Sequence, residues 1–173
     1  MKRVLIASIV GFLFVGYMGL SIYAVSRQEI GQLLICADRG GLKIPFSKRL
    51  CREYLFAFRG SKQDIDLLHK GIGALYVVQG ESATSEREQI LKFLIGKGLD
   101  VNRTDMHQLL PLHGAVLANS ADEIKILLNN GADPSLKDNK YGLTSLELAL
   151  KLQSENKLPG DRDAVISLLK NRN

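Results

Sequence analysis

The sequence predicts an all-α protein, and three observations predict it. Apolar residues make up 46% of the 173, yet only 6% are aromatic and Trp is absent, so the core is aliphatic and suits helices. Apolar runs with helical spacing end on glycine: in ILLNNGADPS, from Ile126 to Ser135, Gly131 stands where a helix closes and Asp133-Pro134 opens a turn that no helix continues. The same punctuation recurs at a fixed interval further back in the chain.

The first element is apolar throughout. After Lys2 and Arg3, the stretch VLIASIVGFLFVGYMGLSIYAV, Val4 to Val25, carries no charge over 22 residues, enough at about 1.5 Å per residue to match the roughly 30 Å hydrocarbon core of a bilayer. A transmembrane anchor over 1–26 is therefore expected. A cleavable signal peptide competes, with Ala24 and Ser26 as small residues near a processing site, but its apolar region normally runs only about 7 to 15 residues. Lys2 and Arg3 beside the free amino group favour an N-terminus in the cytoplasm. The expected placement is a single-pass protein of the inner membrane with its remaining residues in the periplasm. Ala7 and Gly11 are spaced as a small-residue helix contact, a pattern common by chance.

Residues 27–71 read as a helical capping segment. Two amphipathic stretches, EIGQLLICADRG and SKRLCREYLFAFRG, each hold one of the two cysteines and are separated by Gly40-Gly41 and Pro45. Folded back on each other they would bring Cys36 and Cys51 together as a disulfide, worth about 2 to 4 kcal/mol in an oxidising compartment. Two buried free thiols are the alternative. Six basic residues between Arg39 and Arg59 face only Glu53, a cluster that a solvated helix face explains and that anionic headgroups could also use. The net charge of +5 is mild: residues 27–80 hold nine basic and five acidic side chains, whereas 81–173 hold twelve and thirteen. That balance implies no nucleic-acid partner.

The third segment, 72–173, repeats. KFLIGKGLDVNRTD from Lys92 aligns with KILLNNGADPSLKD from Lys125, placing Gly98 and Gly131, Asp100 and Asp133, and Asp105 and Asp138 each 33 residues apart. LLPLHGAV at Leu109 to Val116 is followed by LTSLELAL at Leu143 to Leu150, with Ala115 and Ala149 separated by 34. A period of about 33 with a T-P-L-H-x-A-like start resembles an ankyrin-repeat array. The best unit, DMHQLLPLHGAVLANSADEIKILLNNGADPSLK, matches through Pro111, Leu112, His113, Ala115, Leu127, Leu128, Gly131, Ala132 and Asp133. The first unit departs, with Ala74 to Val78 in place of the signature and extra residues through Gly80 to Ser85; the last inserts LQSENKLPGDR, Leu152 to Arg162. About three repeats are expected, near the minimum for a stack whose units cannot bury their apolar faces alone. DIDLLHKG, Asp64 to Gly71, echoes a second-helix ending, as a capping helix or as the remnant of a shortened repeat.

Polar residues find structural explanations. The resemblance implies that His113 hydrogen-bonds neighbouring turns; His69 ends a helix, where a cation is favoured; His107 falls on a hairpin tip. Asp64, Asp66, Asp161 and Asp163 sit at helix starts. There is no G-x-S-x-G, glycine-rich phosphate loop, H-E-x-x-H or C-x-x-C, so neither catalysis nor a cofactor is expected. Asn102-Arg103-Thr104 fits a glycosylation acceptor, but Asn is also common at that place in ankyrin units.

Ankyrin arrays bind proteins through hairpin tips and the concave face of their first helices. By that resemblance the contact residues are Met106, His107 and Gln108, then Asn139, Lys140 and Tyr141, with Met106 and Tyr141 foremost because exposed Met and aromatic side chains typify contact patches. The long loops at 82–85 and 152–162 are second candidates. The expected function is a non-catalytic, membrane-anchored binding protein of the cell envelope, of the kind that neutralises a secreted toxin or effector as an immunity protein. The alternative is a scaffold of an envelope membrane complex, and a redox protein working through Cys36 and Cys51 is the weakest reading.

Overall fold

The structure is a computed structural model that describes residues 2–41, 44–71, 73–155 and 161–172, with side chains described from Val10 onward. Among the described residues there is no strand, only an isolated bridge between Lys137 and Thr144. The all-α expectation holds. Lys43 and the centre of the 152–162 insertion, residues 156–160, lie outside the described residues.

Two compact units divide the chain, Met1–Arg59 and Gly60–Asn173. The first holds α1 (Lys2–Ser26), α2 (Ile30–Arg39) and α3 (Ser47–Phe58). Both amphipathic stretches are helices, and each turns its apolar face inward: Leu33, Leu34, Cys36 and Ala37 from α2 are buried, as are Cys51 and Leu55 from α3. The connection reverses at Gly40 and Gly41, both at positive φ, which glycine adopts without steric cost. Arg59 ties the end of α3 back to the start of α2, its Nη1 donating to the Gln28 carbonyl at 2.7 Å.

The transmembrane anchor expected over 1–26 is corrected here. Among the described residues no helix is long and apolar enough to cross a membrane. The uncharged stretch lies within α1, Lys2–Ser26. Part of that stretch is also used within the unit, because α1 packs with α3 and Ser21 and Val25 are buried. The single-pass inner-membrane placement with a periplasmic domain was inferred from that anchor and falls with it.

The second unit holds α4 (Lys62–Lys70), α5 (Leu75–Val78), α6 (Thr84–Gly96), α7 (Pro111–Leu117), α8 (Ala121–Asn129), α9 (Ser145–Ser154) and α10 (Asp163–Lys170). Helices pair as α5 with α6, α7 with α8 and α9 with α10, and each pair packs on the next, the nearest-neighbour logic of a solenoid. Starts are capped by side chains: Ser61 and Asp64 form a reciprocal capping box, as do Thr144 and Glu147, and Ser120 accepts from the Glu123 amide. Pro111 opens α7, where its missing N–H costs nothing.

The ends repeat as well as the starts. Leu99 N donates to Leu94 O at 2.9 Å and Ala132 N to Leu127 O at 3.0 Å, each across a glycine at positive φ, Gly98 and Gly131. Gly73 N makes the same reach to Leu68 O, 3.0 Å, so α4 closes like the second helix of a repeat. That α4 falls in the second unit agrees with its closure. α5 is a single turn because Val77 and Val78 are β-branched and Gln79-Gly80 follow.

Pair-to-pair packing is close where α7 meets α5. A β-carbon at Gly114 would overlap Leu75 Cδ2, whereas one at Gly96 would meet nothing within 4 Å. Gly114→Ala is expected to cost about 1 to 3 kcal/mol in urea unfolding, while Gly96→Ala changes stability by no more than about 1 kcal/mol, and in the favourable direction.

Candidate functional site

Each predicted contact residue sits on a hairpin that an aspartate organises. The Asp105 carboxylate accepts from His107 N at 2.8 Å and Leu109 N at 2.9 Å, while Asp105 N donates to Leu109 O at 2.8 Å. Its counterpart Asp138 accepts from Tyr141 N at 3.0 Å and Leu143 N at 3.4 Å, and Asp138 N donates to Leu143 O at 3.1 Å. An Asp side chain that satisfies turn amides is the local reason for the 33-residue echo of this residue. Gln108 carries φ 64 and Gly142 φ 65, the left-handed residues that let each turn close.

The tips are joined by backbone. Asn139 N donates to Gln108 O and Met106 N to Gly71 O, both at 3.1 Å. Met106, His107, Gln108, Asn139, Lys140 and Tyr141 are therefore brought to one edge, and all are exposed. Met106 is 66% and Tyr141 44% accessible, which a side chain spent on core packing would not be. Lys140 Nζ lies 5.4 Å over the Tyr141 ring, a cation–π contact that restrains both.

Beneath the tips, side chains of one unit complete the backbone of the next. Asn102 donates through Nδ2 to Gly131 O and accepts through Oδ1 from Asp133 N, each 2.9 Å. His113 is wholly buried, with Nε2 2.7 Å from the Leu143 carbonyl and Nδ1 3.3 Å from Ser145 Oγ. An imidazole donating from Nε2 and accepting at Nδ1 satisfies both contacts at once. His69, 33 residues before Asn102 but at the end of helix α4 rather than in a turn, makes a similar reach: its Nε2 accepts from Asp100 N at 3.0 Å. The cationic helix-end role expected for His69 is thereby reversed, since an accepting Nε2 requires neutral imidazole. Burial first, then Arg103, hold it below its ordinary value of 6.5.

Several polar residues of the stack leave no mark in the sequence pattern. Arg87 is buried in α6 and donates to the carbonyls of Val78 and Ser82. Arg162, 1% exposed, reaches the Val116 carbonyl at 2.6 Å. Glu123, buried on α8, is pushed above its ordinary 4.5 by burial, against opposing pulls from Ser120 and Arg87. Long charged side chains at such positions read as surface in a sequence; only the stack encloses them. The Asp133 carboxyl, exposed, lies below its usual range because it accepts from the Ser135 hydroxyl and amide. Asp161 accepts from Asp163 N at 2.9 Å at the start of α10.

Among the described residues no group of three or more His, Cys, Asp or Glu side chains could hold a metal ion. Cys36 and Cys51 are bonded, with Cα atoms 5.8 Å apart and a sequence separation of 15. Both cysteines lie in the first unit and are buried.

Residues 94–149 match the family described as Ankyrin repeats (many copies). The chain is 36% identical over 63 residues to ADP-ribosylation factor GTPase-activating protein AGD2 of Arabidopsis thaliana. It is 38% identical over 63 residues to ADP-ribosylation factor GTPase-activating protein AGD4 of the same plant. Each match covers 36% of this chain and 8% of the relative. Residues 94–149 are thus similar to ankyrin repeats, modules that generally bind proteins and do not catalyse. The activity in the relatives' names belongs to those much longer proteins.

Two measurements check the stack. Asn102→Ala removes an acceptor and a donor that serve the next unit, and should lower stability by about 1 to 3 kcal/mol in chemical denaturation. A carboxyl raised above 4.5 contributes stability that is present below pH 4.5 and lost as pH rises through its folded value. Glu123→Gln, which stays neutral, should therefore be more stable than the parent at pH 7, with the difference vanishing toward pH 4.

Proposed function

We propose that the protein is a non-catalytic binding module that grips a protein partner with the two linked tips, Met106–Gln108 and Asn139–Tyr141. One observation carries this reading: the Asn139-to-Gln108 backbone bond fuses two tips into a continuous edge on which Met106 and Tyr141 stand exposed. A preformed edge loses little conformational entropy on binding, and Met and Tyr supply apolar contact area of the kind that anchors interfaces. Lys140, held over Tyr141, adds a cation beside that anchor.

The finer assignment of the partner is a secreted toxin or effector neutralised by stoichiometric capture. It is supported by the small size of the binding edge, which a single folded domain can cover, and by the bonded cysteines, since such bonds persist in oxidising surroundings.

The test is affinity capture by the intact chain, followed by titration of the recovered partner against variants. Met106→Ser together with Tyr141→Ser should weaken binding at least about tenfold, while the unfolding midpoint moves by no more than surface changes usually do, about 0.5 kcal/mol. Unchanged affinity would remove the tips from the interface. Loss of a recovered enzyme's activity at one equivalent of the chain would support capture of an effector.

A further inference from the structure

We infer that His69 is a positioning residue that makes the seating of the first hairpin, and with it the Met106–Gln108 tip, sensitive to pH. Asn102 and His69 are one 33-residue period apart, and so are the amides they receive, Asp133 N and Asp100 N. Between the last units the acceptor is an amide oxygen, which does not titrate. Between α4 and the first hairpin it is an imidazole nitrogen, which does.

Donors approach both ring nitrogens, and the closer of the two decides the protonation state. Nε2 accepts from the Asp100 amide at 3.0 Å, so the neutral ring carries its proton on Nδ1. Arg103 Nη1 stands 3.4 Å from that same Nδ1, placing a cation against an N–H. A second proton on the ring would occupy the lone pair that holds Asp100 and would set an imidazolium beside a guanidinium. Asp66 from α4 and Asp100 from the hairpin pull the other way, but burial and Arg103 outweigh them, and the ring is held below 6.5. The sign follows: a ring depressed in the folded state contributes stability present above pH 6.5 and lost as pH falls through its folded value.

What the joint holds is the hairpin that carries the first tip. Asp100 begins that hairpin and Met106 continues it, and their amides are bonded to His69 and to Gly71 at opposite edges of one junction with α4. Releasing the first bond leaves the Met106-to-Gly71 bond in place at the end of α4. Since the tip is already bonded through Gln108 to Asn139, the expected result is a loosened first finger on an intact stack. The consequence for partner binding rests on the proposed use of the tips; the joint itself does not.

Nitrogen-15 spectroscopy of the full chain reads the ring directly. The expected state at pH 7.5 is the Nδ1–H tautomer; the Nε2–H tautomer, or an imidazolium, would overturn the inference. Amide exchange, normalised to intrinsic rates, reads the bond. The Asp100 amide should lose about fivefold to tenfold of its protection between pH 7.5 and pH 5, the scale of one hydrogen bond, while the Asp133 amide keeps its own. His69→Asn supplies the acceptor that the next joint uses and should hold Asp100 protection constant across that range. Arg103→Gln should move the transition to higher pH. Equal protection of Asp100 at both pH values in the parent chain, or a parallel loss in His69→Asn, would refute the proposal. Met106→Ser with Tyr141→Ser should leave all of these readings in place, so a failure of the tip reading and a failure of the joint are told apart.

Discussion

The 2.7 Å bond between the buried His113 ring and the Leu143 carbonyl sets the terms for the rest of the second unit. A pair of short helices cannot bury its own apolar face, so each must lie on a neighbour. The connection between pairs then runs beside the core, and its carbonyls and amides need partners there. His113, Asn102 and His69 supply those partners across successive joints. Their reach fixes how far one turn stands from the next. The tips can form a backbone-linked edge only because that spacing is held from beneath.

Polar groups in this stack do structural work of two kinds. The aspartates of the hairpins, Asp105 and Asp138, are spent on turn amides and bring the following residues outward. Arg87 and Arg162 are drawn inward instead, where carbonyls at the ends of short helices lack intrahelical donors. α5 is only four residues long, and its Val78 carbonyl is met by Arg87 in place of a further helical turn. An irregular first repeat is thereby kept in a stack built for regular ones. Glu123 is the exception, a buried carboxyl displaced toward its neutral form.

The first unit follows a different rule. Its α2 and α3 are joined by a bond between Cys36 and Cys51, and the segment is small enough that such a bond matters to its stability. The sequence of α1 reads as a membrane span because charge is absent over a long run, a one-dimensional criterion. The structure adds that Ser21 and Val25 are buried, that α1 packs on α3, and that no described helix has the length and apolarity to cross. Uninterrupted hydropathy does not say which neighbour an apolar face will meet.

Sequence alone determined that this protein is helical, that its repeat is about 33 residues long, and where the turns fall. Glycines at positive φ, capping side chains and turn aspartates act over a few residues and leave their spacing in the chain. The same local chemistry placed Met106 and Tyr141 at turns. It did not show that Asn139 and Gln108 bond to each other, that His69 is neutral, that α4 closes like a repeat helix, or that Arg162 is enclosed. Apart from the α4 closure, a local bond from Gly73 to Leu68, those depend on residues 31 to 46 positions away, brought together by packing of one pair on the next, and only the tertiary structure decides which side chain receives which amide.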